Sequence, residues 1–117
     1  MKKRSEVRIK KGLLVDISKT GLEQMGVTVN ISRRGMCIAT TEILRRRSRL
    51  QILVAAVDDV YAITGIVVWN LRKRVLLGED APAEIGIHIE KAASGYYKFV
   101  AAVRRNSLPA PKNRLAC

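Results

Sequence analysis

Val27-Thr28-Val29-Asn30-Ile31-Ser32-Arg33-Arg34-Gly35-Met36-Cys37-Ile38-Ala39-Thr40 is the stretch that decides the fold. Its first half alternates apolar and polar residues with the two-residue period of a strand. Val27, Val29 and Ile31 are thereby expected on one face, and Thr28, Asn30 and Ser32 on the other. Arg33-Arg34-Gly35 then turns the chain into a further strand, Met36 to Thr40. Gly35 suits a positive φ or a close backbone approach by a ligand. The stretch thus predicts a hairpin that holds Asn30 and Ser32 side by side, away from the core.

The same patterning extends in both directions. Leu13, Val15 and Ile17 alternate before the turn-like Ser18-Lys19-Thr20-Gly21. A basic connection, Arg45-Arg46-Arg47-Ser48-Arg49, leads into a strand with Leu50, Ile52 and Val54 in phase. Asp58-Asp59 suits a hairpin turn, and a long strand follows from Tyr61 to Trp69, with Gly65 predicting a bulge. Residues 70–83 read as a polar loop, after which Ile85, Ile87 and Ile89 alternate with Gly86, His88 and Glu90. The period then changes. Tyr96, Phe99, Val100 and Val103 form the apolar stripe of a helix, with Ser94 as its N-cap and Arg104-Arg105 at the negative end of its dipole. Asn106, Pro109 and Pro111 stop it.

Six short strands and one terminal helix predict an all-β domain, a six-stranded antiparallel β-barrel capped by a C-terminal α-helix. The barrel and helix are assigned to residues 11–106, behind a mobile basic arm at 1–10 and ahead of a disordered tail at 107–117. No internal repeat is visible.

Composition narrows the function. A chain of 117 residues with 48% hydrophobic content fits one globular domain. Its net charge of +12 calls for an anionic partner. That charge is concentrated: residues 1–11 and residues 33–49 each carry six positive charges and one negative. The two cysteines, Cys37 and Cys117, form no CxxC or His/Cys cluster, so no metal site is read and no disulfide framework is implied. Cys37 reads as a small buried hydrophobe, and the pair favours a reducing, cytoplasmic setting. The basic N-terminus precedes no apolar run of signal-peptide type, and no segment has the length of a membrane span.

Two polar signatures sit where the charge is densest. Arg4-Ser5-Glu6-Val7-Arg8 reads RxxxR, and Asn30 to Gly35 reads NxSxxG, starting 22 residues after Arg8. Guanidinium forks pair bidentately with phosphate or with the O6/N7 edge of guanine, and an amide with a hydroxyl can select a base. The residues alone therefore point to a compact anion with purine edges. His88 is the only histidine, and no nucleophile, base and orienting group can be assembled around it. Asp58 and Asp59 are adjacent, so on a strand they face opposite sides. No catalytic residue is assigned, and Trp69 reads as barrel packing.

With Gly65-Ile66-Val67-Val68-Trp69 and Ile85-Gly86-Ile87-His88-Ile89, the two signatures make the chain resemble a PilZ domain over about residues 4–103. The resemblance implies a barrel with a C-terminal helix that binds cyclic di-GMP and relays that binding to an effector protein in motility, pilus or exopolysaccharide control. It implies phosphate and guanine contacts from Arg4 and Arg8, guanine contacts from Asn30 and Ser32, and a close turn at Gly35. Lys3, the basic residue before the first signature, implies an intercalated ligand dimer. Arg33 and Arg34 either add phosphate contacts or are simply solvated. The arm is expected to wrap onto the barrel when ligand binds. The competing reading is a small basic barrel for RNA or single-stranded DNA. Its weakness is that Tyr61, Trp69, Tyr96, Tyr97 and Phe99 all lie outside the two basic segments, leaving no stacking platform there.

Overall fold

The computed structural model describes residues 8–19, 22–41, 44–72 and 83–106. Seven strands and one helix appear in chain order: β1 (Ile9–Lys10), β2 (Leu14–Lys19), β3 (Leu22–Ile31), β4 (Gly35–Thr40), β5 (Arg49–Ala55), β6 (Val60–Arg72), β7 (Ala83–Ala92) and α1 (Ser94–Asn106). The strands pair antiparallel in the order β3, β2, β5, β6, β7, β4, and β4 returns to β3. Six strands thus close a barrel. The seventh, β1, adds to the far end of β3, with Ile9 opposite Ile31 and Lys10 opposite Asn30.

The expected alternations build the core. Val15 and Ile17 of β2, Leu50, Ile52 and Val54 of β5, and Ile85, Ile87 and Ile89 of β7 all point inward and are buried. Burying such side chains stabilises the fold by about 1.5–3 kcal/mol each, before the entropy of ordering is subtracted. The predicted stripe of α1 closes one end. Tyr96 and Val100 enter the core, while Phe99 and Val103 pack half-buried against it. Tyr61 of β6 holds this lid through ring contacts of 6.4 Å to Tyr96 and 5.7 Å to Phe99 between centroids. Among the described residues no helix is long and apolar enough to cross a membrane.

Four expectations are corrected. The phase of the deciding stretch is inverted over its first half: Thr28 is buried opposite Ile38, while Met25 and Val27 are exposed. A bulge between Thr28 and Asn30 then resets the phase. Ile31 turns to the core beside Met36, and Asn30 lies outside beside Cys37. Thr28 can face inward because its hydroxyl is fully used. It accepts from the Leu13 N–H at 2.8 Å and donates to the Lys11 carbonyl, bridging the interruption between β1 and β2.

The arm is shorter than expected. Ile9 belongs to the core cluster, and β1 joins the sheet, because a single apolar residue suffices to seat two residues on a waiting strand. Residues 70–72 and 83 belong to strands rather than to a loop, since the β6–β7 ladder continues to Arg72 opposite Ala83. Cys37 is buried as expected, but its sulfur is disulfide-bonded rather than a free thiol. The bulge predicted at Gly65 is present, where the β6–β7 register shifts and a Cβ would press on Ile87. The tail assigned to 107–117 lies outside the described residues.

Candidate functional site

Asn30 ends β3 on the outside of the barrel, and Gly35 opens β4 four residues after Ile31. The turn between them is closed by Ser32. Its N–H donates to the Gly35 carbonyl at 2.8 Å, and its hydroxyl accepts from the Gly35 N–H and donates to the Gly35 carbonyl, both at 3.1 Å. Serine does this because its short hydroxyl can replace a backbone group in a tight turn. Ser32 therefore does not sit beside Asn30 on a strand face. It lies one residue past β3, fully buried, with its hydroxyl committed to the turn.

Arg8 immediately precedes β1, so the pairing of Ile9 with Ile31 delivers its guanidinium to this turn. Arg8 Nη1 donates to Asn30 Oδ1 at 2.9 Å. A Cβ built on Gly35 would lie 3.5 Å from Arg8 Nη2 and only 2.7 Å from the Ile87 carbonyl oxygen. Arg8, Asn30 and Gly35, far apart in sequence, thus form one cluster. Arg8 is exposed, and one hydrogen bond to Asn30 uses one of its five N–H donors, so the rest of the fork can meet an anion. Gly35 is needed for the close approach to β7 rather than for a positive φ.

The turn is braced from behind by residues whose part in it the sequence did not show. The phenol of Tyr96, fully buried in α1, donates to the Ser32 carbonyl at 2.7 Å. The Ile89 N–H donates to the Arg34 carbonyl at 2.8 Å. Arg33 lies over the Tyr97 ring, 5.6 Å from its centroid, which gives one of the two variable arginines a cation–π partner. The only signal available beforehand was a tyrosine in place of phenylalanine at the centre of an apolar stripe, since a buried phenol needs an acceptor. Replacing Tyr96 by phenylalanine leaves the Ser32 carbonyl buried and unpaired. The expected loss is about 1–2 kcal/mol of stability, read as a lowered urea midpoint with an unchanged slope.

Around this turn the outer face of the barrel is laid out by register. Asn30 neighbours Cys37, which neighbours Gly86, which neighbours Trp69. The Trp69 indole covers Gly86 so closely that no Cβ would fit there. The next row runs from Gly35 through the exposed His88 and the half-buried Ile66 to Arg49, and Arg49 Nε pairs with Glu90 at 2.9 Å. The hydrogen bond from Arg49 holds the Glu90 carboxyl below its ordinary range. A carboxylate with a depressed folded pKa stabilises above its unfolded pKa and loses that contribution as pH falls through the folded value. Thermal midpoints of the native chain and of Glu90→Gln are therefore expected to differ slightly at neutral pH and to converge on acidification through the carboxylate range. The difference is small because the pair is solvent-exposed.

Among the described residues no group of histidine, cysteine, aspartate and glutamate has the geometry to hold a metal ion. Lys3 and Arg4 lie outside the described residues, and Arg34 is exposed.

The family model described as PilZ domain matches residues 2–93. Solved structures agree on the fold. The Bacillus subtilis inhibitor of motility MotI/DgrA superposes with a TM-score of 0.71 at 15% identity, over 90% of this chain and 52% of its own. The PilZ domain of Escherichia coli YcgR, solved with c-di-GMP, gives 0.68 at 13% identity, over 89% of this chain and 93% of its own. The K. pneumonia MrkH–c-di-GMP complex gives 0.70 at 11% identity, over 91% and 52%. This chain therefore spans about half the length of MotI and MrkH. No curated protein sequence matches it significantly.

Proposed function

Because the chain belongs to the PilZ domain family, we propose that it is a receptor for cyclic di-GMP, gripped between Arg8, Asn30 and the Ser32–Gly35 turn, and that it relays binding to a protein effector. The observation that carries this reading is the 2.9 Å hydrogen bond from Arg8 to Asn30, which joins the two signatures across 22 residues. With Asn30 Oδ1 taken by Arg8, the amide NH2 is what Asn30 offers a guanine edge. Ser32 shapes the turn, Gly35 lets the ligand and Arg8 come close, and Arg4, the other arginine of the first signature, supplies a second guanidinium to the ligand. Exposed Arg34 adds positive charge at the rim, and Lys3 adds another positive charge to the first signature. In structures solved with c-di-GMP, the YcgR PilZ domain and MrkH share this fold, which supports the choice of ligand. The family is a receptor family, and among the described residues no nucleophile with an adjacent base stands at the site. No cofactor is required.

Calorimetry separates this reading from nucleic-acid binding. Cyclic di-GMP is expected to give a saturable isotherm where GTP gives none, and the molar ratio counts the ligands, two per chain for an intercalated dimer. A short oligonucleotide is expected to bind weakly, losing affinity steeply as salt rises. Salt-steep oligonucleotide binding with no response to the dinucleotide would overturn the proposal.

A further inference from the structure

The face of the barrel formed by β3, β2 and β5 is apolar on its outside. Val27 pairs with Leu14, and Leu14 with Ala55, which pairs with Val60. In the next row Met25 and Leu53 flank Asp16 from its two sides. Leu14 is 55% exposed, Met25 56%, Val27 43%, Leu53 47% and Val60 55%. Exposed apolar residues scattered singly need no explanation, but a contiguous patch on a monomer often marks a contact surface.

Its charge is also unlike the rest of the molecule. In a chain of net charge +12, four of the ten acidic residues lie on or beside this face: Asp16 in its middle, Glu23 on the same strand as Met25, and Asp58-Asp59 in the turn before Val60. No cation pairs with Asp16 among the described residues. Asp16 is half-buried in register between two large apolar residues. It gains most from a cation brought to it by a partner that also covers its neighbours.

From this placement we infer that the β3–β2–β5 face docks an amphipathic segment of another protein, one whose apolar side chains surround a single arginine or lysine paired with Asp16. A second copy of this chain fits less well, because apposing two such faces sets Asp16, Glu23, Asp58 and Asp59 against their own images. The face adjoins the ligand site along one strand. Val27 and Asn30 are both on β3, and the Thr28 hydrogen bonds to Leu13 and Lys11 tie the strand edge between them. As the output surface of the receptor, the face rests on the function proposed above; as a docking surface it does not.

The experiment therefore runs on the full chain without the dinucleotide. The probes are twelve-residue amphipathic peptides with three leucines and one central residue, which is arginine, alanine or glutamate. In titrations followed by nuclear magnetic resonance, the arginine peptide is expected to shift the amides of Leu14, Met25 and Leu53. It should bind about five-fold tighter than the alanine peptide, with the glutamate peptide weakest. Asp16→Asn should erase that order and Asp16→Lys should reverse it. The exposed change Leu53→Asp leaves the core untouched and should abolish the shifts. The inference is overturned if none of the three peptides perturbs those amides, if the order is indifferent to Asp16, or if sedimentation shows a dimer that Leu53→Asp dissociates.

Discussion

Replacing Arg8 by alanine is expected to weaken cyclic di-GMP binding at least about a hundred-fold while leaving the fold intact. Arg8 is exposed and lies just ahead of β1, so its loss opens no cavity. It does remove the only described guanidinium hydrogen-bonded to Asn30. A hydrogen bond to a charged partner contributes about 1.5–3 kcal/mol, and a fork on a phosphate and a base edge makes two or more. About 3 kcal/mol corresponds to a hundred-fold in affinity. Calorimetry alongside a thermal melt checks both halves of the statement. Unaltered affinity would remove Arg8 from the site, and a large drop in melting temperature would reassign it to structure.

Gly35→Ala carries the second large effect, this time on stability as well as binding. The added methyl would stand 2.7 Å from the Ile87 carbonyl oxygen, and that oxygen belongs to backbone in the centre of β7. It cannot swing away as a side chain does. Either β4 separates from β7 where Gly35 faces His88, or the turn shifts and Ser32 loses its paired bonds to Gly35. Overpacking of this kind costs about 1–3 kcal/mol. The methyl also meets Arg8 Nη2, so the variant should lose cyclic di-GMP binding even at temperatures where it remains folded. Urea denaturation and calorimetry on the same preparation measure the two losses separately. Native stability in this variant would show that β4 and β7 have more room than the geometry allows.

Much of this architecture was legible because strand period and core burial coincide in β2, β5 and β7, where each inward position is aliphatic. The helix was equally plain, since only one face of residues 94–106 is apolar. The deciding hairpin was harder. Val27 and Val29 look like core residues, and Thr28 looks like surface, but a bulge at the junction and a bridged strand edge reverse them. Periodicity carries no mark of a bulge without glycine. Ile9 was hidden for a different reason: one apolar residue in a basic segment has no period at all. Asn30 and Gly35 could be named from the motif. The buried commitment of Ser32, and the reach of Tyr96 to its carbonyl 64 residues away, depend on tertiary closure that no local pattern encodes.

The seating of Ile9 has a kinetic meaning as well. A chain held at Ile9 keeps Arg8 fixed and gives Arg4 only four residues of leash, about 14 Å when fully stretched. For the proposed site, an arginine tethered within that radius would meet an already bound ligand at an effective concentration on the order of millimolar or more. Its attachment is then unimolecular. In the proposed receptor, ligand capture would then take two steps, with Arg8 and Asn30 governing the encounter and Arg4 governing how long the ligand stays.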